Sequence, residues 1–311
     1  MPFWIPGSYM IKEGGIEIDV SIPSSKTDAL REKLWDFWKG YRKNKGAVFG
    51  LFFLTLVIFT ALSADLITEF DPMEPGVGRP LQQPGRRFLM GTDDLARDIF
   101  SGVVYGARVS LVVGFSAALT ATLIGVVIGS VSGYFGGITD DLLMKFCELF
   151  QSMPRFLFAL VIVVFFGNTI WNVVVVIGIF SWPRIGRLVR SEFLHLRESE
   201  FVMAARGVGM SNVRIIFKQI LPNALHVVLV TASLEVGVAI IIEAALSYLG
   251  AGDPNLMSWG RMLYNAQKFL RTSWWLAIFP GSAIFFTVLS LNLIGDGLND
   301  ALNPKLRRIR R

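Results

Sequence analysis

The sequence predicts an all-α, polytopic membrane protein with six transmembrane helices. Three observations carry that prediction. Of the 311 residues, 53% are hydrophobic and 17% charged, and the mean hydropathy is +0.53, too apolar for a soluble domain of this size. Several charge-free runs approach or exceed the roughly 20 residues that cross a bilayer as a helix. Lys and Arg gather in alternate connecting segments, as cytoplasmic loops do. The runs do not alternate in polarity, so a β-barrel is excluded, and hydrocarbon leaves only helices to satisfy the backbone.

The elements follow in order. Residues 1–25 contain Pro2, Pro6, Gly7, Gly14, Gly15 and Pro23 and no apolar core of a signal peptide, so they read as irregular. From Thr27, apolar Leu30, Leu34, Phe37 and Tyr41 recur at helical spacing among Arg31, Lys33 and Lys39, with Trp35 and Trp38 nearby. This suits a helix lying in the membrane interface, or a solvated one. The first span is 47–67. The second, 109–135, has no charge and carries Ala117, Ala121, Gly125, Gly129 and Gly133 at every fourth position. Such a stripe lets another helix approach closely, either within the chain or from a second subunit.

Residues 156–183 are again charge-free and read as one tilted span or as a hairpin turning at Gly167-Asn168-Thr169. Charge separates the two. With a hairpin, 20 Lys and Arg share the side of both termini against 8 opposite; with a single span the balance reverses. Spans are therefore expected at 149–167, 169–188, 224–248 and 274–297. Pro154 kinks the third, and Arg155 beside it snorkels to the interface. Both termini and the 184–222 segment fall in the cytoplasm.

That segment interrupts the apolar sequence without the length for a core of its own. Leu194, Phe201, Ala205 and Val208 form one stripe before Gly207 and Gly209, which permit a turn. Ser211 is a candidate N-cap. Val213, Ile216, Phe217 and Ile220 repeat at helical spacing beyond it, and Pro222 ends the element. A pair of helices like this packs back under the bundle, lies on lipid or awaits a soluble partner.

Here the residues resemble a known family. Ala204-Ala205, Gly209 and Leu221-Pro222 match the EAA loop of ATP-binding-cassette (ABC) importer permeases, with Met203 where the glutamate and Gln219 where the isoleucine would stand. The departures resemble the dipeptide/oligopeptide/nickel branch. So do Met90–Leu111 (MGTDDLARDIFSGVVYGARVSL), Glu243–Leu263 and Asn292–Arg307, although Ala96 and Gly102 replace a usual glycine and arginine. The match covers most of 88–307. The resemblance implies a type I ABC importer permease fold: a cytoplasmic N-terminal segment with an interfacial helix (1–46), a first transmembrane helix (47–69), an extracytoplasmic loop (70–107), a permease core (108–300) with coupling loop 189–222, and a basic cytoplasmic tail (301–311). It further implies a multi-pass inner-membrane permease for di- or oligopeptides, with nickel chelates, glutathione or oligosaccharides as alternative cargo. The implied partners are a second homologous permease, cytoplasmic ATPase subunits and an extracytoplasmic substrate-binding protein. Ala204, Ala205, Gly209, Ser211, Ile216, Phe217, Leu221 and Pro222 would couple to the ATPase.

The residues themselves point the same way on energetics. No Lys follows a Gly, so no GxxxxGK[ST] phosphate loop exists and ATP hydrolysis is expected in a partner. No hydrolase signature, metal cluster or cofactor motif is present, and His195 and His226 stand apart. The lone Cys147 reads as apolar filler, and Asp296 as a helix cap or ion-pair partner. Two intramembrane carboxylates, Glu235 and Glu243, support a competing class, an ion-coupled transporter or channel. Against it stands a structural role, by hydrogen bonding or by pairing with Arg108 or Arg261. A membrane scaffold without transport is the third reading.

Overall fold

Two helices, α4 (Ile99–Phe135) and α7 (Ile170–Leu196), form the spine of the bundle and run parallel. The structure, a computed structural model, describes residues 8–13, 16–21 and 26–302. Gly125 of α4 lies against Ile185 of α7, Gly129 against Gly186 and Val189, and Gly133 against Phe193 and Arg190. A Cβ on Gly133 would sit 2.6 Å from that of Phe193. The small-residue stripe thus serves packing within the chain, which decides between the two roles open to it.

Parallel neighbours demand a return between them. That return is α5 (Gly137–Ser152) followed by α6 (Arg155–Phe166), bent 77° at Met153-Pro154. The third crossing, expected over 149–167 with a kink at Pro154, is broken there into two helices. Pro154 cannot donate to the helical ladder and disfavours helical backbone at Met153. At 12 residues, α6 is about 18 Å long, too short to cross alone. Gly167 (φ 101°) and Thr169, whose side chain caps Asn172, then turn the chain into α7, as the hairpin reading expected.

The other crossings are α2 (Lys45–Leu62), α10 (Leu221–Tyr248) and α12 (Trp275–Leu302). Among the described residues five helices are long and apolar enough to cross a membrane, and six crossings result when the bent pair is counted as one span. Helix α10 packs antiparallel to α4 (Gly114 on Ile240) and to α12 (Gly295 on Leu234), and α12 packs antiparallel to α2 (Gly50 on Ser290). Before α2, α1 (Lys26–Tyr41) docks through Tyr41, whose hydroxyl donates to the Ala47 carbonyl at 3.0 Å. Its side chains at 30, 33 and 34 lie outside the described residues, as does the tail from 303. Residues expected to be irregular include an antiparallel hairpin, β1 (Ser8–Glu13) and β2 (Ile16–Ser21), in the register Ser8 to Ser21 and Glu13 to Ile16.

At the other end of the bundle, α3 (Ala64–Ile67), the 68–98 loop and α11 (Trp259–Ala266) form a cover. Thr92 organises the loop: its hydroxyl donates to the Arg79 carbonyl at 2.5 Å and accepts from the Gln82 amide at 2.9 Å. Asp93 pairs with Arg97 at 2.6 Å, and Asp98 caps α4 by accepting from the Ser101 amide and hydroxyl. Most polar residues of the TDDLARD stretch are thus spent on building this turn. At Gly102, a Cβ would lie 2.8 Å from the terminal methyl of Met262 of α11, so a larger side chain there would have to displace that flexible end.

Candidate functional site

The segment between α7 and α10 is built in two layers. Helix α7 stops at Leu196, and α8 (Glu200–Gly207) starts after a turn at 197–199. That break resets the helical phase, so the expected stripe of Leu194, Phe201, Ala205 and Val208 does not form. Instead Val202 and Ala205 are buried, while Phe201 and Val208 face outward. The end of α8 is a Schellman turn: the Met210 amide reaches the Ala205 carbonyl at 3.1 Å and Gly209 adopts φ 75°. Only Gly209 needs this freedom; Gly207 is helical, with open space around it.

Ser211 occupies the N-cap position of α9 (Asn212–Ile215), but its side chain makes no capping bond. A π-turn, Ile216–Ile220, then joins α9 to α10 without a break, its widened ladder closed by the Leu221 amide on the Ile216 carbonyl. Pro222 therefore does not end the element: it sits in the first turn of α10. The π-turn shifts the ladder by one residue beside the proline, whose missing N–H would otherwise orphan a carbonyl. The Asn223 side chain caps the Gln219 carbonyl at 2.6 Å. The same extra residue rotates the faces. Ile215, Ile216 and Ile220 are buried, and Val213 and Phe217 are exposed.

The buried layer (Val202, Ala205, Ile215, Ile216 and Ile220) packs on Tyr134, Trp182, Ile185 and Phe193 of the spine. The Tyr134 hydroxyl donates to Asn212 Oδ1 at 2.8 Å, and the Arg206 guanidinium lies 5.4 Å over the Tyr134 ring. The outer layer presents Phe201, Met203, Val208, Val213 and Phe217, with Ala204 and Pro222 also exposed and Leu221 half-buried. Beside it, Tyr134, Phe135, Arg197, Met203 and Arg206 line an open groove of about 470 Å³. Of the eight residues singled out in sequence, Ala205 and Ile216 hold the segment down, and Ala204, Gly209, Ser211, Phe217 and Pro222 face away from the bundle. Val202, Ile215 and Tyr134 were missed, because the phase of the two helices that carry Val202 and Ile215 depends on two backbone breaks.

The carboxylates lie elsewhere. Glu243 is buried between α10 and α4 and accepts from Ser247 at 2.7 Å and Ser110 at 3.4 Å. It lines a cavity with room for about one water, together with Asp253 and Ser258. Neither expected arginine pairs with it. Arg108 binds Asp65 at 2.8 Å, holding the Asp65 carboxyl below the usual carboxylate range. Arg261 donates to the Asp253 and Leu256 carbonyls. Glu235 is 1% exposed, and neither oxygen has a hydrogen-bond partner among the described residues. Asp296 is exposed and neither caps nor pairs among those residues; Asp300 instead accepts from Asn44 at 3.2 Å. Cys147 is buried, as filler should be, with its thiol 3.4 Å from the Pro183 carbonyl.

Known proteins resemble this chain along most of its length. The family model for binding-protein-dependent transport system inner membrane components matches residues 125–308. That for the N-terminal transmembrane domain of oligopeptide transport permease C matches 33–84. A dipeptide transport system permease protein of Alkalihalophilus pseudofirmus is 43% identical over 87% of this chain and 89% of its own length. An oligopeptide transport system permease protein of Bacillus subtilis is 36% identical (90% and 94%). A glutathione transport system permease protein of Pectobacterium atrosepticum is also 36% identical (92% and 96%). In fold, a chain of the inward-facing MetNI methionine ABC transporter superposes with a TM-score of 0.55 at 18% identity, over 68% of this chain and 98% of that one.

Proposed function

This chain belongs to the family of binding-protein-dependent transport system inner membrane components, and from that premise we propose that it carries di- or oligopeptides and takes its power through the 197–221 segment. It is a multi-pass permease subunit of an ABC importer of the inner membrane. ATP hydrolysis belongs to a partner subunit, and a second related permease completes the pathway. The positive-inside rule puts residues 26–46, the α8–α9 segment and the C-terminal end on the cytoplasmic side. Relatives named for dipeptides and oligopeptides favour peptide cargo, and the relative named for glutathione, itself a small peptide, keeps the class broad.

One observation carries the coupling role: α8 and α9 are riveted to the spine by one apolar layer while offering a second apolar layer to solvent. An exposed patch of this kind, outside the span, marks a protein contact. A push on Phe201, Val208, Val213 or Phe217 would pass through Ile215 and Ile216 to α7 and α4, biasing access between the two sides. The test is ATP-driven uptake by the reconstituted complex. Val208→Asp and Phe217→Ala, both exposed, are expected to cut peptide uptake tenfold or more and to weaken copurification of the ATPase, with thermal stability unchanged. Full uptake by both variants would defeat the assignment.

A further inference from the structure

Helix α1 has two faces, and only one meets the bundle. Tyr41 is buried at its end, against Ala47 and Gly297, and Gly40 rests on Ala301. The face turned away carries Trp35, Trp38 and Lys39 at i, i+3 and i+4, continued by Arg42 and Lys43 in the turn beyond the helix. These five residues line a groove of about 230 Å³. Trp35 is 65% exposed and Trp38 39%. Among the described residues no carboxylate pairs with Lys39, Arg42 or Lys43; Asp36, one turn before Lys39, is exposed and unpaired.

Depth identifies the occupant. The charge-free run of α2 begins at Gly46, and Arg42, Lys43 and Lys45 stand within four residues of it. The groove therefore lies level with the headgroups of the leaflet that the described chain ends share. Indole rings favour that layer, and cations there attract acidic lipid. We infer that this groove binds the phosphate headgroup of an anionic phospholipid, with Lys39, Arg42 and Lys43 on the phosphate and Trp35 and Trp38 against the glycerol and first methylenes. The site rests on the membrane reading of the chain but not on the coupling role of α8–α9.

The test uses the intact transporter in nanodiscs of phosphatidylcholine with a minor fraction of phosphatidylglycerol. Lipid retained after detergent extraction is identified by mass spectrometry. Selective retention of phosphatidylglycerol is expected, weakening about fivefold for each cation neutralised and on the order of a hundredfold for Lys39→Gln, Arg42→Gln and Lys43→Gln together. Lys39→Arg should retain it. Equal retention by the triple variant overturns the site. Should that variant fail to assemble, p-benzoylphenylalanine in place of Trp35, with every charge intact, decides: photolabelled phospholipid supports the inference, and a crosslink to another polypeptide overturns it.

Discussion

Arg190 of α7 grips Asp140 of α5, with Nε and Nη2 each 2.5 Å from a carboxylate oxygen, while Ser132 of α4 donates to the same carboxylate. Three helices meet in that cluster, one turn from Phe193 and the buried layer of α8 and α9. Asp140 is nearly buried and Arg190 about one-third exposed, so removing one partner strands a poorly hydrated charge. Asp140→Asn should destabilise the protein by about 1–3 kcal/mol, less than for a fully buried pair because water still reaches the arginine. Adding Arg190→Met should cost less than the two single losses together, and a thermal-melt double-mutant cycle checks that non-additivity.

The two glycines at the end of α8 should respond oppositely. Gly207 is helical and a Cβ there meets nothing, so Gly207→Ala should stabilise by about 0.4–1 kcal/mol through the unfolded chain. Gly209 holds φ 75°, where a Cβ costs about 1–2 kcal/mol. Gly209→Ala should lower the melting temperature and, by reshaping the turn, reduce uptake more than it reduces stability. Parallel melting and uptake measurements on the two variants test the contrast.

The buried carboxylates divide in the same manner. Glu243 satisfies Ser247 and Ser110, so Glu243→Gln should keep uptake near the wild-type rate, whereas Glu243→Leu should cost about 1–3 kcal/mol by orphaning those hydroxyls. Among the described residues Glu235 has no hydrogen-bond partner to lose. Glu235→Leu should be neutral or stabilising, since an unbonded polar group is exchanged for an apolar one of similar size. Loss of ATP-driven uptake in Glu235→Leu without loss of stability would instead give this carboxylate a transport role.

The crossings were legible because charge-free runs and cation balance are properties of composition, insensitive to local geometry. The hairpin at Gly167-Asn168-Thr169 emerged from charge alone. What escaped was phase. Pro154 was read as a kink, yet the chain turns by 77° there, because steric exclusion at Met153 acts on backbone direction rather than on hydropathy. Likewise, the faces of α8 and α9 hinge on the turn at 197–199 and the π-turn at 216–220, which no side-chain periodicity announces. The 197–221 segment was therefore legible as a stretch, while its inner and outer residues were partly exchanged.

Ala96 offers the sharpest test of reading backbone from sequence. It stands where the resemblance in sequence led us to expect glycine, and its φ is 59°, in the left-handed region. Its amide bonds the Asp93 carbonyl at 3.1 Å and its carbonyl takes the Val77 amide at 3.2 Å, so the loop fixes that conformation. The Cβ costs about 1–2 kcal/mol there. Ala96→Gly relieves this, against about 0.4–1 kcal/mol of added unfolded-state freedom and a buried methyl worth about 0.8 kcal/mol. These terms nearly cancel, so Ala96→Gly should melt within about 1 kcal/mol of wild type. Ala118→Gly, in the buried helical interior of α4, relieves no strain and should lose about 1 kcal/mol from propensity plus the lost methyl. Equal losses at the two positions would mean that position 96 carries no left-handed strain.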